Sequence, residues 1–308
     1  MIGMNLTYLD GQWPFGVNWT RIWDIGCHWG AIHTGPDQYD WSKLDKVVDR
    51  MTSQGMKIIY TIGGCPRWLS NNPNSTTAAA WMGPGSNGLP GTNADRDQFN
   101  LFAYNLVTRY KGRIQAYEVW NEPQLLEFLD PYDTANCDIL ATMTKRFFTN
   151  AKQWDPNCIV LGAPILPRAS SGGMTKATKY LTSMKNAGWP VDRMTCHIYP
   201  VVGEGGVAWT NYAKEVQAKL TEMGAPKASA PWVTETAFNL LGPDPGDVAT
   251  DTWIKGVYNG CVQTGINIVI WYAWNRPDLG GPLIYTGHQA WDSIQTYGKI
   301  ADEALEDV

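Results

Sequence analysis

Short runs of apolar and β-branched residues alternate along the chain with longer amphipathic stretches, the pattern of repeated strand–helix units around a parallel sheet. The runs predict eight strands, near residues 2–8, 17–24, 56–62, 116–121, 159–163, 194–199, 232–236 and 267–273. Apolar positions at helical spacing predict helices at 42–54, 97–111, 138–154, 174–187, 210–223 and 247–264, with a closing helix near 289–306. Ser42-x-x-Asp45, just ahead of the apolar positions Val47, Val48 and Met51, reads as a capping-box start. Eight strands joined by helices, with no linker or low-complexity tract, predict a (β/α)8 TIM barrel as one domain over residues 1–308. No G-x-G-x-x-G follows the first strand, which argues against a dinucleotide-binding sheet. Only LDGQWPFG separates the first two strands, too little for a crossover helix. Either the first helix has been lost or the first strand lies elsewhere.

Composition narrows the partner. With 24 basic and 29 acidic residues the formal charge is −5, so no broad cationic surface is available for nucleic acid or anionic lipid. No run approaches the ~20 apolar residues that span a bilayer. The first residues, MIGMNLTYLDG, carry neither a basic nor an apolar leader region. A trimmed secreted protein, a cytoplasmic one and a phage-borne one all fit such a chain, and oligomeric state is not legible. Six cysteines lie without a C-x-x-C pair, and four histidines lack any metal-binding spacing, so neither a zinc ribbon nor a catalytic metal is expected. Sixteen Trp and 14 Tyr against 7 Phe are an excess of flat amphipathic rings, used either to fill a core or to line a site.

The strongest local signal is Tyr117-Glu118-Val119-Trp120-Asn121-Glu122-Pro123. Proline cannot donate to the ladder, so Pro123 ends the fourth strand and leaves Glu122 at the barrel mouth. A second carboxylate, Glu235 in Trp232-Val233-Thr234-Glu235-Thr236, ends the seventh strand. Two carboxylates facing one pocket are what glycosidic cleavage requires, one to protonate the leaving oxygen and one to attack the anomeric carbon. Like charge at close range would raise the pKa of Glu122 beside an ionised Glu235. No cofactor is needed for that chemistry.

Other residues gather near the strand ends. Glu118 shares strand parity with Glu122 and should point inward but lie deeper. Arg21, on the second strand, either pairs with Glu118 or lies beside Glu235. His197 and Tyr199 alternate onto one face at the end of the sixth strand, placed to hydrogen-bond Glu235, with a satisfied core histidine as the rival reading. Trp271 closes the eighth strand, and Trp68, Trp274 and Trp29 follow strand ends, where each serves either as a sugar platform or as loop packing. The Gly/Pro-rich stretch 81–96 and the segments 124–137 and 237–247 are long loops on the C-terminal face, where barrels place their sites.

W-N-E-P at the end of strand four with a glutamate ending strand seven resembles clan A of the glycoside hydrolases, retaining enzymes built on a (β/α)8 barrel. The segments R-I-W-D-I-G-C-H-W-G-A-I, G-P-D-Q-Y-D-W-S-K-L-D and Y-T-I-G-G-C-P-R-W-L are similar to family 39 and its relatives. The resemblance implies that Glu122 is the acid/base, that Asn121 contacts the sugar 2-hydroxyl, that Glu235 is the nucleophile and that Trp271 lies under the sugar. It leaves no room for the β-sandwich that many family 39 enzymes append, and it does not fix the sugar. The expected activity is retaining hydrolysis of an oligo- or polysaccharide. A transglycosylase using the same glutamates and a non-catalytic sugar-binding barrel are the alternatives.

Overall fold

The computed structural model describes residues 2–6, 17–200, 204–237 and 247–272. The chain opens with β1 (Ile2–Leu6) and β2 (Trp19–Ile22), then a single-turn α1 (Trp29–Ile32) and a small hairpin of β3 (His33–Gly35) and β4 (Gln38–Tyr39). Next come α2 (Ser42–Ser53), β5 (Lys57–Ile62), α3 (Asn93–Arg109), β6 (Ala116–Val119), α4 (Thr134–Trp154) and β7 (Ile159–Leu161). The described part ends with α5 (Gly173–Asn186), β8 (Thr195–Ile198), α6 (Gly206–Met223), β9 (Trp232–Thr236), α7 (Asp247–Thr264) and β10 (Val269–Trp271).

Eight strands pair in parallel in the order β7-β6-β5-β2-β1-β10-β9-β8. Bridges from Leu161 to Arg193 and from Ile165 to Cys196 join β7 to β8 and round off the ring. This is the expected (β/α)8 barrel, with every anticipated strand in place. The link from β1 to β2 falls largely on residues 7–16, so the question of the first helix lies outside the described residues, as does the closing helix expected near 289–306. No helix among the described residues is long and apolar enough to cross a membrane. None of the six cysteines forms a disulfide, and all are buried.

One cap differs from expectation. Trp41 occupies the N-cap of α2 without a side-chain bond, and Asp45 instead receives Arg109 and Tyr110 from α3 and its end. A capping box does form at α3, where Thr92 and Asp95 satisfy each other's backbone N–H. The Ser42 N–H that Asp45 would have capped is taken instead by Asp40 Oδ1 at 3.0 Å.

Strand alternation sorts the interior into layers. Trp19, Ile59, Ala116, Leu161, Trp232, Ile268 and Ile270 form an apolar plug inside the ring, with Trp19 and Trp232 edge to face at 5.3 Å. The residues between them on the same strands, such as Ile22, Tyr60, Val119 and Trp271, face the helices and belong to the larger core. One inward step above the plug lie Arg21, Thr61, Glu118, Thr195 and Thr234, all fully buried. The next step is the mouth.

Candidate active site

Glu118 is the centre of the polar layer. Its Oε2 accepts from Arg21 Nε at 2.8 Å, Arg21 Nη2 at 2.6 Å and Thr61 at 2.9 Å. Its Oε1 accepts from Thr195 at 2.9 Å and Thr234 at 2.7 Å. Burial alone would raise this carboxyl's pKa, but the charge of Arg21 and the hydrogen bonds from Thr234 and Arg21 hold it below the usual value. A buried ion survives only with such partners. Arg21 then reaches up a layer: Nη1 donates to Glu235 Oε1, and Nη2 donates to Asn121 Oδ1 at 2.8 Å. Both readings of Arg21 hold at once, because its planar fork serves two carboxylates.

Glu235 faces the mouth because β9 carries a bulge. Cys196 lies opposite Val233, but the next residue, His197, lies opposite Glu235, and β10 shows the same extra residue between Val233 and Thr236. Thr234 and Glu235 therefore both point inward, where alternation would have turned Glu235 toward the helices. Tyr199 donates to Glu235 Oε2 at 2.5 Å. The Glu235 carboxyl stands above its usual pKa, by burial first, with the charge of Glu122 adding to the rise and Arg21 and the Tyr199 bond opposing it.

Glu122 reaches the same mouth by a different device. Trp120 has φ +81° and Glu122 φ +35°, conformations that cost a non-glycine residue about 1–3 kcal/mol. The turn sends the Trp120 indole outward, where it donates to Phe128 O at 2.9 Å, and presents Asn121 and Glu122 to the pocket. Glu122 Oε1 and His197 Nδ1 are 2.6 Å apart, and the same nitrogen is 3.5 Å from Glu235 Oε2. A carboxylate oxygen of Glu122 and one of Glu235 lie within 4.8 Å of each other. Burial pushes the Glu122 carboxyl up to about 7, Arg21 lowers it and Glu118 raises it. The direction matches expectation, but desolvation is the main cause rather than the charge of Glu235. His197 is pushed down to about 4, by burial first, so its ring is neutral.

Glu122, His197 and Glu235 are also close enough to hold a metal ion. The guanidinium on Glu235 and the Tyr199 hydroxyl already occupy its oxygens, which argues against a dication there.

The anticipated aromatic platforms disperse. Trp271 pairs with the outward Thr236 and packs on α7, 5.0 Å from the Trp253 ring, so it is not under a sugar. Ile270 takes the inward position in β10, and parity makes Tyr272 the next inward residue, whose hydroxyl donates to Asp24. Trp29 is fully buried against Phe99 and Phe102. Trp68 keeps an exposed face, but its indole donates to His33 O and its ring stands on His33. Trp274 lies outside the described residues.

No family model and no curated protein sequence matches the chain. Solved structures do. A family 39 glycoside hydrolase from Bacteroides cellulosilyticus superposes with a TM-score of 0.65 at 15% identity, covering 98% of this chain and 63% of that one. The family 39 enzyme from Xanthomonas axonopodis pv. citri gives 0.68 at 17%, covering 93% and 60%. An endoxylanase of family 10 from a sugarcane soil metagenome gives 0.61 at 15%, covering 92% and 88%. The chain has the fold of the barrel glycoside hydrolases. It spans somewhat under two thirds of the length of the family 39 structures, the family that its motifs resemble. On this fold the mouth at the C-terminal ends of the strands is where loops and strand ends build sites, and Glu122 and Glu235 both stand there.

Sequence reasoning missed Thr61, Thr195 and Thr234, which hold Glu118. It also missed Tyr272, the next inward residue after Ile270. Threonines at the inward parity of three strands were a usable signal, since an inward Glu118 needs donors.

Proposed function

We propose that the chain is a retaining glycoside hydrolase that acts on an oligo- or polysaccharide, with Glu122 as acid/base, Glu235 as nucleophile and residues 1–308 as one catalytic domain. The observation that carries this reading is that one oxygen of Glu122 and one of Glu235 lie within 4.8 Å of each other at one mouth, which puts the two carboxyl groups in the close range. Double displacement uses a separation of about 5–5.5 Å, whereas a single displacement through water needs roughly 6.5–9.5 Å. The division of labour follows from the surroundings. Glu235 accepts from Arg21 and Tyr199, which favour its charged form and fix it for attack. Glu122, pushed up to about 7, holds a proton at mildly acidic pH and can give it to the leaving oxygen. With Asn121 Oδ1 committed to Arg21, its amide N–H groups are the donors left for a sugar hydroxyl.

The test separates the two glutamates. A dinitrophenyl glycoside needs no protonation of its leaving group, so Glu122→Ala should form the glycosyl-enzyme in a burst and release it slowly. Azide should rescue it with retained configuration. Glu235→Ala should give no burst, and any azide rescue should invert. Exchange of these behaviours, or labelling of another residue by a 2-fluoro glycoside, sinks the assignment.

A further inference from the structure

The rim beside Glu122 carries an aromatic group that the catalytic layer does not use. Gly63, at the end of β5, lies under the Trp23 ring: a Cβ there would meet the ring at 2.8 Å and Asn121 N at 3.8 Å. The Trp23 indole thus sits one residue's width from Asn121. Trp23 is itself buried, but Trp81 stands edge-on to it at 5.2 Å and edge-on to His28 at 5.3 Å, with 43% of its surface exposed. Two buried rings fix the Trp81 indole and leave part of it to solvent. The loop that bears Trp81 is tied to the loop that follows Glu122: Ala79 N donates to Glu127 O at 3.2 Å, and Asn87 Nδ2 donates to Leu126 O at 2.7 Å. Leu126 is 49% exposed on the same rim. The Glu127 carboxyl has its pKa raised, by partial desolvation first and then by the charge of Glu122.

We propose that Trp81, with Leu126 and Glu127, forms a second sugar-binding subsite on the rim beside Asn121 and Glu122, taking a ring of an oligosaccharide next to the one held at the glutamates. The proposal deepens the glycosidase reading and rests on it for the position of the first ring. The chemistry fits a sugar rather than a purely apolar ligand. An indole offers a flat apolar surface to the C–H face of a pyranose, and a carboxylate accepts from its hydroxyls. A held ring also loses little conformational entropy on binding, which suits a platform.

The experiment uses xylotetraose, cellotetraose and mannotetraose with the matching 4-nitrophenyl β-glycosides, which place one sugar at the glutamates and none on the rim. Calorimetry on Glu235→Gln protein measures binding without turnover. Adding Trp81→Ala should weaken the tetraose that binds best by about tenfold or more, leave the nitrophenyl glycoside unaffected, and be largely reversed by Trp81→Tyr. In the active protein Trp81→Ala should lower kcat/KM for the tetraose by a similar factor and keep it for the nitrophenyl glycoside. Equal losses on both substrates would mark Trp81 as structural and overturn the subsite. So would an unchanged tetraose affinity, or binding of none of the three. If no probe is turned over by the unaltered protein while tetraose binding still depends on Trp81, the hydrolase reading falls and the subsite stands. If hydrolysis is intact and indifferent to Trp81, the reverse holds.

Discussion

Arg21 carries one positive charge and serves two carboxylates, so the ionisation of the mouth depends on a residue one layer below it. Glu118 neutralises Arg21 from beneath, and its own charge raises the pKa of Glu122. Glu118→Gln keeps the shape and removes that charge. Arg21 then faces Glu235 alone, and Glu122 loses a like-charged neighbour, so its pKa should fall from about 7. The acid/base must start protonated, and therefore the alkaline limb of kcat/KM should move to lower pH. Breaking a buried pair should also cost about 3–5 kcal/mol of stability, read by urea denaturation. An unmoved alkaline limb would show that Glu118 is scaffold only. At this scale Glu122 was legible because Pro123 marks the strand end. Trp271 was misread because its face is set by parity: Ile268 and Ile270 point inward, so Val269 between them and Trp271 after them point to the helices.

Strand periodicity carried the barrel, since each run had to bury one face in the plug and one under the helices. What escaped is short or irregular. A four-residue α1 and the hairpin at His33–Tyr39 give no period to count, and the bulge in β9 reverses the face of Glu235 at a position where alternation alone points the other way. Helices α3 and α4 begin about four residues earlier than apolar spacing suggests, because Thr92 and Asp133 cap polar first turns. At their closest approach α6 and α7 meet through glycines, which apolar spacing does not mark. Gly206 and Gly256 meet backbone to backbone, and a Cβ on Gly260 would fall 2.6 Å from Thr210 Oγ1 and 2.7 Å from the Trp209 ring. Trp209 in turn donates to Thr236 Oγ1 at 3.1 Å, one residue past Glu235. Gly260→Ala should therefore push Trp209 toward β9, costing about 1–3 kcal/mol by overpacking and lowering kcat while Glu235 is displaced. Helix propensity alone would instead stabilise the variant by up to about 1 kcal/mol. A higher Tm with unchanged kcat would show that the helix contact yields freely.

At the scale of the whole molecule, three buried histidines among the described residues set the acid side of stability while Glu122 sets the alkaline side of activity. His28, His33 and His197 are each pushed down to about 4, chiefly by burial, against an ordinary value of 6.5. For His33 the geometry gives a second reason. Its Nδ1 accepts from Trp29 Nε1 at 3.2 Å, and its ring stacks on Tyr39 at 4.6 Å, so a proton on Nδ1 would break the indole bond inside an aromatic stack. Below pH 6.5 the unfolded chain takes up protons at these sites and the folded chain does not. Stability should then fall as pH drops from about 6.5 to about 4, by at most ~1.4 kcal/mol per pH unit for each site. Glu122 acts with the opposite sign: raised to about 7, it binds its proton more tightly when folded, so its contribution is complete at low pH and is lost as pH rises through 7. One such carboxyl offsets part of the histidine term, and the three histidines outnumber it. Activity and stability together should peak at mildly acidic pH. His33→Phe isolates one site. The variant should be less stable at pH 7.5, where Trp29 loses its acceptor at a cost of about 1–3 kcal/mol. Because it has no proton to take up on unfolding, its stability should fall less steeply toward pH 4.5, and urea midpoints at four pH values should converge with those of the unaltered protein. Parallel curves would mean that His33 titrates alike in both states, and the neutral stacked ring would be wrong.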